Sequence, residues 1–460
     1  MNLIASISNV GVIRQADVKL GGLTVLCGAN NSGKTYITHS IFGFLDRLQR
    51  GAAAPVLNKI VIPVEREGSM ELDIDSLQTI FQEAADKISE ATPELLSSVF
   101  ASERNRFRDS NIKIDFNEIP RSLLLKYSLG FAGESWALNV SQSKSNTCIF
   151  SLAKRRNDVE GAEASTPQNS EIFAKIIRRE FSTRLQAQYF PRVFICSAER
   201  TGASIFQKEL DFSRSRMIDL LTKMKDKSGF DNIGQFAAQY PLAVRSDVDF
   251  ARSLSSYRGR KGLWATKNED VLNDFADIVE GEYVAVDGDM RFVPKVKVSD
   301  VQSLKLTESS SSVRALMDMV GYLKYVIKPG DILVVDEPEM NLYPENQRKI
   351  ARLFAALVNT GVNVFITTHS DYLLRELNLL VLLKSKKAVQ MGIGDKYGYK
   401  SNQLLSSESL NVYRISDDPE DKGMKVVSPV AITQDEGMRS SVFDASIDEM
   451  NRIFDEIYWG

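Results

Sequence analysis

The stretch GANNSGKT, Gly28 to Thr35, spaces two glycines, a lysine and a hydroxyl in the pattern G-x-x-x-x-G-K-[ST]. Such a loop ahead of a helix turns successive backbone N–H groups towards phosphate oxygens, with the positive end of the helix dipole behind them. Gly28 and Gly33 permit the tight turn, and Asn30, Asn31 and Ser32 complete the cradle. Lys34 would reach the β- and γ-phosphates of a nucleotide, and the Thr35 hydroxyl would ligate Mg2+; the loop alone fits a metabolic kinase, a switch GTPase, a hexameric motor or an ABC-type ATPase. Ile332-Leu333-Val334-Val335 runs into Asp336-Glu337-Pro338-Glu339. Two carboxylates at the tip of an apolar strand stand where α/β sheets bind ligands. Asp336 would hold the metal. Glu337 points elsewhere because side chains alternate along a strand, and it suits a base that orients and deprotonates a water. Ile366-Thr367-Thr368-His369-Ser370 ends another apolar run, and a neutral His369 imidazole could contact a terminal phosphate or the attacking water.

A fourth cluster, Ser309 to Ser312, precedes Leu316, Met319, Val320, Leu323 and Val326 at helical spacing. Ser310, Ser311 and Ser312 therefore sit at a helix N-terminus, an anion site by geometry and otherwise a plain cap.

The elements that must position these groups can be outlined. LIASISNVGVI and ADVKL read as paired strands, and LTVLC as a short buried strand feeding the loop. Ile37, Ile41, Phe44, Leu45 and Leu48 then mark an amphipathic helix. Residues 72–105 read as helical. NIKIDF, ALNVSQS and CIFSLA read as strands of one small antiparallel sheet, 154–171 as a polar loop, 171–189 as a helix and RVFICSAER as a strand ending in charge. Roughly 207–280 is helical, broken by SLSSYRGRKG. The expected division is an N-terminal lobe over 1–50, a mixed β and helical insertion over 51–284, a C-terminal lobe over 285–400 and an extension over 401–460. No repeat and no long heptad array is visible.

At 460 residues, 43% hydrophobic and 25% charged, the chain has ample material for a core, and a net charge of −3 gives no global pull towards nucleic acid. Cys27, Cys148 and Cys196 are scattered and read as reduced thiols of a cytoplasmic protein. Two histidines make a zinc site a poor expectation. The alternating N-terminus is unlike a signal peptide, and no apolar run is long enough for a membrane span, so no membrane partner is expected.

The order of loop, insertion, serine cluster, Asp-Glu strand and histidine strand resembles ABC-type ATPase heads, in the SMC/RecF/OLD-like branch. PEMNLYPENQ is similar to a segment of OLD-like ATPases, with Tyr343 where histidine is usual, and Ser312 stands where the signature commonly has glycine. SAERTGASIFQKEL, 197–210, resembles compact ATPase subunits of bacterial anti-phage systems of the Septu, PARIS and retron-associated kinds. The resemblance implies an α/β head, made of a P-loop core sheet with an antiparallel β subdomain and a mainly helical insertion. It also implies a composite site, in which the serines of one copy close over ATP held by Lys34, Asp336 and Glu337 of another. A homodimer or higher homo-oligomer follows from it, with a separate nuclease or toxin as effector. Two alternatives stay open: a DNA-repair or DNA-structure ATPase of the RecF/SMC type, and an ATP-bound scaffold with little turnover.

No intrinsic nuclease is expected, because RISDDPEDKG reads as a charged loop rather than part of a metal-binding acidic set. Arg200 is a candidate for the nucleotide side or for lobe coupling, against a surface ion pair. Nucleic acid stays open as a partner through 255–267 and 384–400, where lysines and arginines interleave with Tyr257, Trp264, Tyr397 and Tyr399. The tail carries Val442, Phe443, Ile447, Met450, Ile453, Phe454 and Ile457 at helical spacing, and docking on its own core is the simplest expectation.

Overall fold

The computed structural model describes residues 2–52, 69–118, 127–130, 136–142, 147–154, 191–203, 205, 240–257, 261–286, 289–296, 303–438 and 445–459. The chain enters through β1 (Asn2–Val10) and β2 (Ile13–Leu20), a hairpin paired antiparallel, then β3 (Leu23–Cys27) and α1 (Lys34–Arg47). β4 (Ser69–Asp73), α2 (Ile74–Glu90), α3 (Thr92–Phe100) and β5 (Asn111–Glu118) follow. Then come β6 (Tyr127–Gly130), β7 (Trp136–Gln142), β8 (Thr147–Lys154) and β9 (Val193–Cys196). α4 (Leu242–Leu254), α5 (Leu263–Lys267) and α6 (Glu269–Val279) lead into a small sheet of β10 (Gly281–Val286), β11 (Asp289–Pro294) and β12 (Leu304–Lys305). α7 (Ser311–Tyr325), β13 (Ile332–Asp336), α8 (Pro344–Asn359), β14 (Asn363–Thr368) and α9 (Asp371–Leu382) carry the second set of motifs. β15 (Leu410–Asp417) and β16 (Lys425–Pro429) pair antiparallel, and a short hairpin of β17 (Ile432–Thr433) and β18 (Gly437–Met438) follows.

Nine strands form one sheet in the order β5-β1-β2-β16-β15-β3-β14-β13-β9. From β15 to β9 every neighbour is parallel. The carboxyl ends of β3, β14, β13 and β9 therefore lie along one edge. β3 and β13 are buried at every residue, as strands covered on both faces must be. Alternation sends their side chains to two separate cores. Leu26, Ile332 and Val334 pack with the α1–α3 side, while Leu23, Val25, Leu333 and Val335 pack with α6–α9. The fold class is α/β, with a large mixed sheet.

Several expectations change here. NIKIDF lies in β5, at the edge of the nine-stranded sheet beside β1, while ALNV and CIFSLA pair in a separate sheet of order β4-β8-β7-β6. β5 and β9, within 51–284, and β15 and β16, within 401–460, share the nine-stranded sheet with β3 and β13. RISDDPEDKG is only partly a loop: Arg414 to Asp417 belong to β15, and Asp418 and Glu420 then reach Arg14 of β2 at 2.7 and 3.0 Å. The helix Ala445–Trp459 forms, but Met450, Ile453, Phe454 and Ile457 stand exposed instead of packing on the core. The expected helix at 171–189 lies outside the described residues, as does 207–239; of the expected loop at 154–171 only Lys154 is described, as the last residue of β8.

Candidate active site

The loop between β3 and α1 is built from backbone freedom. Asn31 and Gly33 take left-handed φ of 59° and 96°, and Gly33 caps α1. A Cβ at Gly33 would meet Ile13 Cδ1 at 2.7 Å, so the loop packs directly on β2. Lys34 is 5% exposed, and its Nζ donates to the carbonyls of Gly28 and Ala29, each at 3.0 Å. Glu337 Oε1 stands 3.9 Å from the same ammonium. The Thr35 hydroxyl donates to Asp336 Oδ2 at 3.3 Å, and Thr367 donates to Asp336 Oδ1. Four of the residues read from sequence thus meet where β3 and β13 end.

Glu337 adopts φ 49°, strained for a non-glycine residue. Its turn is held from both sides. Its amide donates to Thr367 Oγ1 at 3.0 Å, and its carbonyl accepts from Arg200 at 3.0 Å. His369 Nδ1 lies 3.5 Å from Glu337 Oε1 and 3.4 Å from Glu339 Oε1. Glu339 is buried, accepting from the Thr368 hydroxyl at 2.7 Å and the His369 amide at 2.8 Å. The serine cluster caps α7 as expected: the Ser310 hydroxyl accepts from Val313 N at 3.3 Å and lies 2.8 Å from the Ser312 hydroxyl. Ser310 and Ser311 are exposed, and these side-chain hydrogen bonds of Ser310 and Ser312 stay within that turn.

Sequence reasoning missed His39. It follows Thr35 by one helical turn, is 3% exposed, and directs Nε2 to within 3.8 Å of Asp336 Oδ2. That nitrogen has no hydrogen-bond partner among the described residues. Burial pushes the His39 pKa down and the Asp336 carboxyl up, opposed by their mutual attraction. The i, i+4 spacing from Thr35 was the available signal. Arg200 is no surface ion pair either, since it is 2% exposed and bonds to main-chain carbonyls. The two basic segments lose part of their stacking surface. Trp264 and Tyr399 are buried, and Tyr257 stacks on Tyr325 at 5.3 Å. Arg258 and Arg260 lie outside the described residues.

The residues suit a triphosphate with a hard divalent cation. A hydroxyl and a carboxylate oxygen are the donors such a cation prefers. The Ser32 hydroxyl is buried inside the loop with no hydrogen-bond partner among the described residues, and a Cβ at Gly28 would come within 2.9 Å of it.

Residues 70–374 match the family described as AAA ATPase domain, a stretch that begins after the GANNSGKT loop and ends just past His369. The chain is 24% identical over 124 residues to the uncharacterized ABC transporter ATP-binding protein YhaQ of Bacillus subtilis (strain 168). That alignment takes in 26% of this chain and 41% of the relative, well under half of its length. Among solved structures, the SMC head domain from Thermotoga maritima aligns over 94% of this chain and 100% of its own, at 12% identity and a TM-score of 0.31. The Smc head domain from Pyrococcus furiosus, solved with an extended coiled coil bound to the C-terminal domain of ScpA, covers 99% and 100% at 12% identity and 0.32. None of the described helices is long and apolar enough to cross a membrane.

Proposed function

The chain belongs to the AAA ATPase domain family, and from that premise we propose that it is an ATP-driven switch: two copies close around ATP, hydrolysis releases them, and the cycle controls a separate effector, a nuclease or toxin, in anti-phage defence. The observation that carries the ATP site is the meeting of Lys34, Thr35, Asp336 and Glu337 at one sheet edge, although some 300 residues separate the two pairs. The effector and the defence setting rest on the resemblance of 197–210.

Lys34 and the loop amides bind the phosphate chain, the ammonium exchanging its carbonyl partners for phosphate oxygens. Thr35 and Asp336 would hold Mg2+, which when bound neutralises charge on the phosphoryl oxygens. Glu337, part-exposed at the strand tip, orients the attacking water and takes its proton. His369 fixes the Glu337 carboxylate through the 3.5 Å approach. The exposed Ser310–Ser312 turn of the second copy offers hydroxyls and free helix N–H groups to the terminal phosphate. No nuclease activity is assigned to the chain itself.

Glu337→Gln is expected to lower turnover about 100-fold or more while leaving ATP bound, as loss of a general base does. It should accumulate an ATP-dependent dimer in size-exclusion chromatography with light scattering. Lys34→Ala should abolish binding of a fluorescent ATP analogue. Turnover in Glu337→Gln equal to that of the parent would remove this mechanism. Identifying which chains copurify with and without ATP and magnesium tests the effector, and a dimer that brings no other chain with it would count against effector control.

A further inference from the structure

Arg200 sits just past the end of β9, almost fully enclosed, and its donors reach three elements. Nη1 donates to Ser197 O at 2.8 Å and Asp336 O at 2.7 Å, Nη2 to Glu337 O at 3.0 Å, and Nε to Ala315 O at 2.8 Å. All four acceptors are main-chain carbonyls. Two belong to the strand tip that carries the acidic pair, and one to Ala315 in the second turn of α7, just beyond the serine-capped first turn. Two buried carboxylates lie close by. Asp247 of α4 takes the Ser197 amide at 3.2 Å, and Asp318 of α7 stands one turn beyond Ala315. Both sense the Arg200 charge, and each leaves one oxygen without a hydrogen bond among the described residues.

Enclosing a cation in this way is a poor route to stability, because apolar packing of the same volume does as well or better. A planar guanidinium has a property that apolar packing lacks: its donors diverge at fixed angles, so acceptors on it cannot move independently. The acceptors here include the carbonyl of Glu337, whose left-handed backbone needs support from outside its own turn.

We infer that Arg200 is a positioning residue of the ATPase cycle, making the placement of the Glu337 turn and of the serine-capped helix α7 a single joint variable. Rearrangement at the Asp336–Glu337 tip is carried through one guanidinium to Ala315, and the reverse holds equally. The inference rests on the reading that Glu337 serves hydrolysis at the Lys34 site. It needs neither an effector nor a dimer.

The test uses the full chain with Arg200→Lys and Arg200→Gln, a non-hydrolysable ATP analogue with Mg2+, steady-state kinetics and hydrogen exchange. Both variants are expected to bind the analogue within about threefold of the parent, because the Lys34 loop is untouched. Turnover should fall by about 100-fold with little change in KM, the consequence of a misplaced catalytic group. In the parent, the analogue should change amide exchange at 311–318 as well as at 28–35. In the variants, the change at 311–318 should vanish and that at 28–35 persist. Parent-like kcat, or a parent-like response at 311–318, overturns the inference. Joint loss of analogue binding and melting temperature in both variants also overturns it, since Arg200 would then be only a structural post. Failure of the Glu337 reading itself is separate, and shows as undiminished turnover in Glu337→Gln.

Discussion

A carboxyl shut away from water titrates late, and Asp247 is such a group. It is fully buried, and desolvation pushes its pKa up to about 7 against the hydrogen bonds from Ser197. A native pKa above the unfolded one means that the folded state holds a proton the unfolded chain has already released. Stability therefore declines as pH rises from about 4 to about 7, and the penalty persists above that range. Asp247→Asn can still accept from the Ser197 amide and never ionises. It should raise the melting temperature more at pH 8 than at pH 5, measured by calorimetry, and an equal gain at both would contradict the assignment. Residues such as Lys34, Asp336 and Glu337 could be picked out in the sequence because their types and order are rare beside apolar strands. Arg200 and Asp247 could not. An arginine after a strand reads as solvent-facing, and only tertiary neighbours reveal that carbonyls and carboxylates surround it.

Helix α1 owes its angle of approach to one missing methyl group. A Cβ at Gly43 would come within 2.2 Å of Val99 Cγ2, and Val99, fully buried on α3, is β-branched and stiff. Gly43→Ala would gain helix propensity of about 1 kcal/mol. Overpacking should outweigh that gain, with a net loss of about 1–2 kcal/mol in urea unfolding, against the usual range of about 1–3 for such clashes. Gly43→Ala combined with Val99→Ala should recover part of the overpacking term, and no interaction between the two changes would rule out the contact as its cause. The apolar strands β3, β13 and β14 were legible because buried parallel strands read as short continuous hydrophobic runs. Period-two alternation identified NIKIDF as a strand but carries no information on which neighbour it pairs with. That choice depends on register with β1, a hundred residues away. β15 was obscured because its last residues are charged and run into an acidic turn.

At the scale of the whole molecule, the strand that feeds the phosphate loop is flanked by β14 and β15. Every motif residue lies before position 370, yet the sheet around β3 is closed only by Leu410–Asp417 pairing with it and by β16 pairing with β2. Truncation after Lys400 should therefore abolish binding of an ATP analogue even though all motif residues remain, whereas truncation after Met438 should retain it, as read by fluorescence titration. Retained affinity in the shorter piece would show that β15 is dispensable. The same arrangement governs how the protein is made. A ribosome synthesises the phosphate loop well ahead of Asn363–Thr368 and Leu410–Asp417, the two strands that flank β3. During synthesis apolar β3 therefore waits with both edges unpaired until Asn363–Thr368 emerges, and with one edge unpaired until Leu410–Asp417 follows, a slow route to the native sheet that favours chaperone shelter.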